Sequence, residues 1–179
     1  MLVHYTESMP AQNVPEPWLR GTLTDVPAVQ RAILHALELA KEDLERWCGE
    51  LTDEQVNARP NGIAPVAFQL RHIARSLDRL LTYADGKSLS TEQIAAMKAE
   101  LEPGARRGEI FSELVTALKS ADQRVRAFSP ADFELPRTIG RQQMPTTLGG
   151  ILVHVADHTQ RHVGQAITTA KIVKGVDIA

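Results

Sequence analysis

The sequence predicts an all-α protein, a four-helix bundle with a short extra helix and an irregular loop before the last long helix. Aromatic residues make up only 4% of the chain, so the core must be built from Leu, Ile, Val and Ala, and abundant Ala and Leu favour helix. Four long stretches repeat apolar residues at the 3–4 spacing of an amphipathic helix. Moderate connections separate them, and packing four apolar stripes together is the simplest way to bury them all. At 179 residues the chain suits one domain that buries roughly two-thirds of its unfolded surface. No internal repeat points to a solenoid.

The elements follow in order. Residues 1 to 22 carry Pro10, Pro15 and Pro17 with little periodicity, which predicts an extended arm laid over a bundle domain of residues 23 to 179, anchored by Trp18 and Leu19. Asp25 and Pro27 open the first helix, and Val29, Ala32, Ile33, Ala36, Leu37, Ala40 and Leu44 mark its stripe up to Gly49. A polar linker spans residues 57 to 62. Val66, Leu70, Ile73, Leu77 and Leu80 then define a second helix ending near Asp85 and Gly86. Ser90 and Thr91 before Glu92 and Gln93 predict a short capped helix to about Leu101, stopped by Pro103 and Gly104. Ile110, Leu114, Ala117, Leu118, Ala121 and Val125 mark the next long helix, which ends before Ser129 and Pro130. Between Phe133 and Met144 the pattern dissolves into a loop with room for a small hairpin. Pro145, Thr146 and Thr147 open the longest helix, which runs to Lys174 with Gly175 as its C-cap.

Twenty basic residues against 22 acidic ones leave a net charge of −2, which removes the electrostatic case for nucleic acid or an anionic membrane as partner. A small uncharged ligand or another protein fits better. Cys48 is the single cysteine, so neither an internal disulfide nor a CxxC site is available, in keeping with a reducing compartment. The N-terminal stretch has no signal-like apolar run, and no segment offers about 20 uninterrupted apolar residues. The expected location is the cytoplasm.

The stretch HVADHTQRHVGQ, residues 154 to 165, holds three of the six histidines. At about 100° per residue, Ile151, Val155, Ala166 and Val173 set the inward direction of the last helix, and His158 and His162 fall beside it. His154 lies further round, toward Asp157, Arg161 and solvent, with Gln165 between it and the pair. Residues i and i+4 stand one above the other, so two imidazoles can converge on one ion at about 2.0–2.1 Å each. Two neighbouring half-buried imidazoles repel when protonated and need polar partners when neutral, and a metal answers both needs. Periodicity does not choose the third ligand: His72 and His35 both sit on helix flanks, and His4 lies in the arm.

Two stretches are similar to the DinB/YfiT-like superfamily of metal-dependent four-helix-bundle proteins. FQLRHIARSLDRLLTYADG, residues 68 to 86, resembles that family's second-helix histidine segment, and LVHVADHTQRHVGQ, residues 152 to 165, resembles its HxxxH signature. The resemblance implies His72, His158 and His162 as the three ligands, an open site with water in the remaining positions, and a homodimer. Many members carry HRGQ where this chain has His162, Val163, Gly164 and Gln165, so no role of that arginine carries over. Gly164 inside a helix costs about 1 kcal/mol relative to Ala and predicts close approach of a neighbouring helix.

An open three-histidine site is a catalytic type, in which the metal lowers the pKa of a bound water to about 7 or polarises a carbonyl. Nitrogen ligation suits zinc, nickel, copper or iron, and one divalent ion per chain, zinc or nickel, is the expected cofactor. The leading expectation is a hydrolase whose nucleophile is a metal-activated water and whose substrate is a small molecule. The resemblance also implies a thiol S-transferase, in which the metal holds a low-molecular-weight thiol as thiolate. A third reading is a stress-related binding bundle without turnover. No carboxylate stands out as a general base, although His154, Asp157 and His158 form an inverted version of a zinc-protease motif with Asp for Glu. Gln69, Ser76, His154 and Gln165 are the candidates to line the site, and solvation of helix flanks explains them equally well.

Overall fold

A computed structural model describes residues 14 to 175. The predicted helices are present: α1 (Ala28–Cys48), α3 (Val66–Ala84), α5 (Arg107–Ala127) and α6 (Leu148–Lys174) form the bundle, and the short α4 (Thr91–Lys98) lies outside it. A further short helix, α2 (Asp53–Asn57), precedes the polar linker; its capping box joins Thr52 and Gln55. Only Val56 of α2 is buried, so no apolar stripe announces it. Helix α6 packs between α1 and α3, α3 packs between α6 and α5, and α1 closes less extensively on α5. The core between them is aliphatic, with Leu44, Leu70, Ile73, Leu77, Leu114, Ile151 and Leu152 fully buried. None of the described helices is long and apolar enough to cross a membrane.

The loop before α6 does contain a hairpin. Strands β1 (Pro136–Ile139) and β2 (Met144–Thr147) pair antiparallel with Pro136 opposite Thr147. Pro145 and Thr146, expected to open α6, belong to β2, and Thr147 is the N-cap, its Oγ1 accepting from Gly150 N at 3.1 Å. The carbonyl of Phe133 accepts from Gly149 N at 2.8 Å, and a Cβ on Gly149 would stand 3.2 Å from Phe133 Cβ; the glycine lets the loop close on the helix start. On the other side Arg137 Nε donates to the carbonyl of Ala84 at 2.6 Å. The hairpin therefore ties the end of α3 to the beginning of α6.

Three expectations are corrected. Trp18 and Leu19 do not anchor the arm: they are 63% and 57% exposed, while Pro17 is buried and Arg20 forks onto Glu42 at 2.6 and 2.7 Å. An ion-pair anchor leaves no apolar signature. Val29 is exposed and Gln30, one position on, takes the inward place in α1; its amide donates to the carbonyls of Val125 and Phe128 at 2.8 and 2.9 Å, satisfying groups that the end of α5 would leave unpaired. Gly164 meets no neighbouring helix: a Cβ built there has nothing within 4 Å.

Because the backbone at Gly164 is helical and its surroundings are open, Gly164→Ala is expected to stabilise the protein by roughly 0.5–1 kcal/mol. Thermal or urea unfolding reads this directly, and a lowered midpoint would show that a neighbour does occupy the position.

Candidate metal centre

The site forms where α3 and α6 cross. Along α6, Val155, Thr159, Val163 and Ala166 point into the core, and His158 and His162 stand beside that line, half-buried. On α3, His72 sits next to the buried Ile73 on the flank that faces α6, with Phe68 stacked on its ring at 5.3 Å. One nitrogen from each of His72, His158 and His162 lies within 4.8 Å of the others. The Nε2 atoms of His72 and His158 are 3.3 Å apart. Two nitrogens bound to one ion at about 2.0–2.1 Å with a tetrahedral angle would be separated by about 3.4 Å.

The opposite edge of each ring is engaged. His72 Nδ1 is 2.7 Å from Glu100 Oε2, and His162 Nδ1 is 2.7 Å from Gln69 Oε1. His158 Nδ1 is 3.4 Å from Ser76 Oγ, whose own hydrogen goes to the carbonyl of Ile73 at 3.1 Å. These partners are acceptors, so when the rings are neutral the network assigns the hydrogen of each to Nδ1 and leaves the Nε2 lone pairs of His72 and His158 facing one another. Lone pairs at this separation repel, and a cation between them removes the conflict. The same arrangement of outer hydrogen bonds is how proteins orient metal-binding histidines.

The other residues singled out in the sequence divide clearly. Gln69 and Ser76 are buried and hold His162 and His158 as described. Gln165 is exposed, but its side chain reaches His162 from one turn further along α6. His154 stands beside His158 with ring centroids 5.3 Å apart, but its Nδ1 turns to Asp157 at 3.5 Å and it stays outside the three-histidine group. Asp157 pairs with Arg161 at 2.8 Å on the exposed face, away from the centre where the inverted protease motif would need it. His35 is buried in α1 with Nε2 3.0 Å from Thr22 Oγ1. His4 lies outside the described residues.

Glu100 went unrecognised in the sequence. It follows α4, is 5% exposed, and accepts from Arg79 Nη1 at 2.6 Å through its other oxygen. Burial pushes its pKa up, but the hydrogen bonds from His72 and Arg79 and the positive charge of Arg79 more than offset that, and the carboxyl ends below its usual range. Burial also dominates at the α6 histidines. Together with the positive potential of His162, His72, His154 and Arg161 it lowers His158 to about 4; burial, His72 and Arg161 lower His162 to about 4, against a partial offset from Glu100 and Gln165. Both rings are therefore neutral, as ligands must be, at any pH near 7.

Comparison with known proteins bears on the family and the fold. The family model described as the DinB superfamily matches residues 36–166. A solved structure described as the conserved protein of a locus from Enterococcus faecalis superposes with a TM-score of 0.68 at 20% identity, covering 84% of this chain and 99% of that one; at that identity the likeness speaks for the fold. No match was found among curated proteins.

The lowered histidines give the metal-free protein a pH dependence of known sign. Between about pH 4 and the ordinary histidine value of 6.5, the unfolded chain binds protons at His158 and His162 that the folded chain does not, so stability falls as the pH drops through this window. Urea unfolding of chelated protein at pH 7 and pH 5 should show the loss, and a His158→Gln, His162→Gln double variant should flatten it. An equal slope in both proteins would contradict the assignment.

Proposed function

Starting from the fact that this chain belongs to the DinB superfamily, we propose that His72, His158 and His162 hold one divalent transition ion, zinc or nickel, and that the protein is a metal-dependent hydrolase acting on a small molecule. The observation that carries this reading is the set of three rings whose Nδ1 edges are engaged and which bring one nitrogen each to within 4.8 Å of the others. No fourth His, Cys, Asp or Glu joins the group among the described residues, and three nitrogen ligands with open positions are the catalytic rather than the structural pattern. When bound, such an ion supplies Lewis acidity and lowers the pKa of a coordinated water toward neutrality.

The chain's own part is to orient and to shield. Gln69, Ser76 and Glu100 hold the three rings in their binding tautomer, and Phe68 covers one face of His72. Neither nearby carboxylate is free to serve as a base: both Glu100 oxygens are occupied, and Asp157 is paired with Arg161 on the surface. That last observation favours a second reading on the same site, a thiol S-transferase, because a thiol that coordinates as thiolate needs no separate base. Either activity would be carried by a homodimer, as is common in the superfamily, with sedimentation giving about twice the chain mass of 19.7 kDa.

Protein purified without chelator is expected to carry about one transition ion per chain, and His162→Ala to lose it, as read by elemental mass spectrometry. Unchanged metal content in the variant would overturn the ligand set.

Loaded protein incubated with panels of esters, amides and electrophiles should turn over without added thiol if it is a hydrolase. Turnover only with a cellular low-molecular-weight thiol would identify the transferase, and a loaded but inert protein would point to a binding role.

A further inference from the structure

Helix α4 buries none of its own side chains, yet it is held firmly against α3. The attachment is polar. Arg71, Arg75 and Arg79 project four residues apart from one face of α3: Arg71 donates to the carbonyl of Glu102 at 2.7 Å, Arg75 to the carbonyl of Ala96 at 2.6 Å, and Arg79 to Glu100 Oε1 at 2.6 Å. Arg75 also reaches Glu113 of α5 at 2.7 Å. Together they clasp the last turn of α4 and the chain that follows. What this clasp brings into the bundle is one carboxylate, Glu100, whose side chain is 6% exposed.

Burying a carboxylate is costly unless its oxygens are paired. Glu100 has each oxygen on a different partner, Arg79 on Oε1 and His72 Nδ1 on Oε2. Arg79 thus fixes the plane of the carboxylate, and the carboxylate fixes the plane and tautomer of His72. His158 and His162 are held by neutral groups, so His72 is the one ligand oriented by a charge, and that charge comes from outside the helices that supply the ligands.

We propose that Glu100 is a positioning residue of the metal centre, delivered by the α4 clasp and locked by Arg79, which aims His72 Nε2 at the two α6 histidines. The proposal rests on the metal-binding reading above. Its consequence is that affinity for the ion depends on a residue that touches neither ion nor substrate.

The test is a Co(II) titration of the full chain followed by visible absorption, in wild type, Glu100→Gln and Ser90→Ala. Glutamine offers one acceptor and one donor where glutamate offers two acceptors, so it cannot satisfy both His72 and Arg79. Ser90→Ala removes the capping box of α4 without touching the centre, and reports what loosening the helix does by itself. Expected are a loss of Co(II) affinity of about 10- to 100-fold in Glu100→Gln with an altered ligand-field spectrum, and wild-type affinity and spectrum in Ser90→Ala. Wild-type affinity and spectrum in Glu100→Gln would overturn the proposal while leaving the metal site standing. Equal weakening in both variants would also overturn it, since docking of α4 would then explain everything. Wild type that takes up no Co(II) removes the metal reading and this proposal with it. Should Glu100→Gln fail to fold, nitrogen-15 spectra of zinc-loaded wild type decide: His72 protonated at Nδ1 and bound through Nε2 upholds the proposal, and metal on Nδ1 refutes it.

Discussion

Where α3 and α6 cross, the Nε2 atoms of His72 and His158 stand 3.3 Å apart, and with both Nδ1 edges on acceptors the neutral rings turn lone pairs toward one another. Such a contact is tolerable only if each ring is prevented from turning over and if something positive can lie between them. The surrounding structure meets the first condition with three different acceptors: a carboxylate for His72, an amide oxygen for His162 and a hydroxyl for His158. Two of these, Gln69 and Ser76, come from the same helix as His72, at the third residue before it and the fourth after it. Helix α3 thus supplies one of the three histidines and the supports for the other two, while α6 supplies two histidines and no support.

That division places strict demands on how the two helices meet. A shift of one turn would put Gln69 and Ser76 opposite the wrong rings. The hairpin β1–β2 addresses this at one end, since Arg137 grips the last carbonyl of α3 and the preceding loop grips the first amides of α6. Along the crossing itself the aliphatic core sets the spacing, with Ile73 and Leu77 of α3 buried alongside Val155 and Val163 of α6. The polar centre is therefore positioned mostly by apolar packing, and its hydrogen bonds select among a few ring orientations.

Much of this was legible in the sequence, for identifiable reasons. Long stripes at helical spacing report burial directly, so the four bundle helices and the pairing of His158 with His162 could be read from residue order. His72 could not be separated from His35 in that way, because both occupy helix flanks and the choice depends on which flank meets α6; resemblance to a known family pointed to His72, and the fold brings it to the pair. Glu100 gave no signal, since Lys98, Ala99, Glu100, Leu101 and Glu102 read as an ordinary solvated helix end and its partner His72 lies 28 positions away. Gly164 misled because a glycine in a helix has several causes, of which close packing is one. Trp18 and Leu19 misled for a related reason: large apolar residues suggest anchors, but a bidentate arginine does the anchoring here.

The separation of the three histidines along the chain has a topological side. His72 and His158 are 86 positions apart, and an ion held by both would close a loop that contains α4, α5 and the hairpin. A cross-link of that span removes conformational freedom from the unfolded chain worth on the order of 4–5 kcal/mol in the chain-entropy picture, and the short four-residue spacing between His158 and His162 adds little to it. The ion would then act as a reversible staple between the middle and the end of the polypeptide, and opening the bundle would require letting it go.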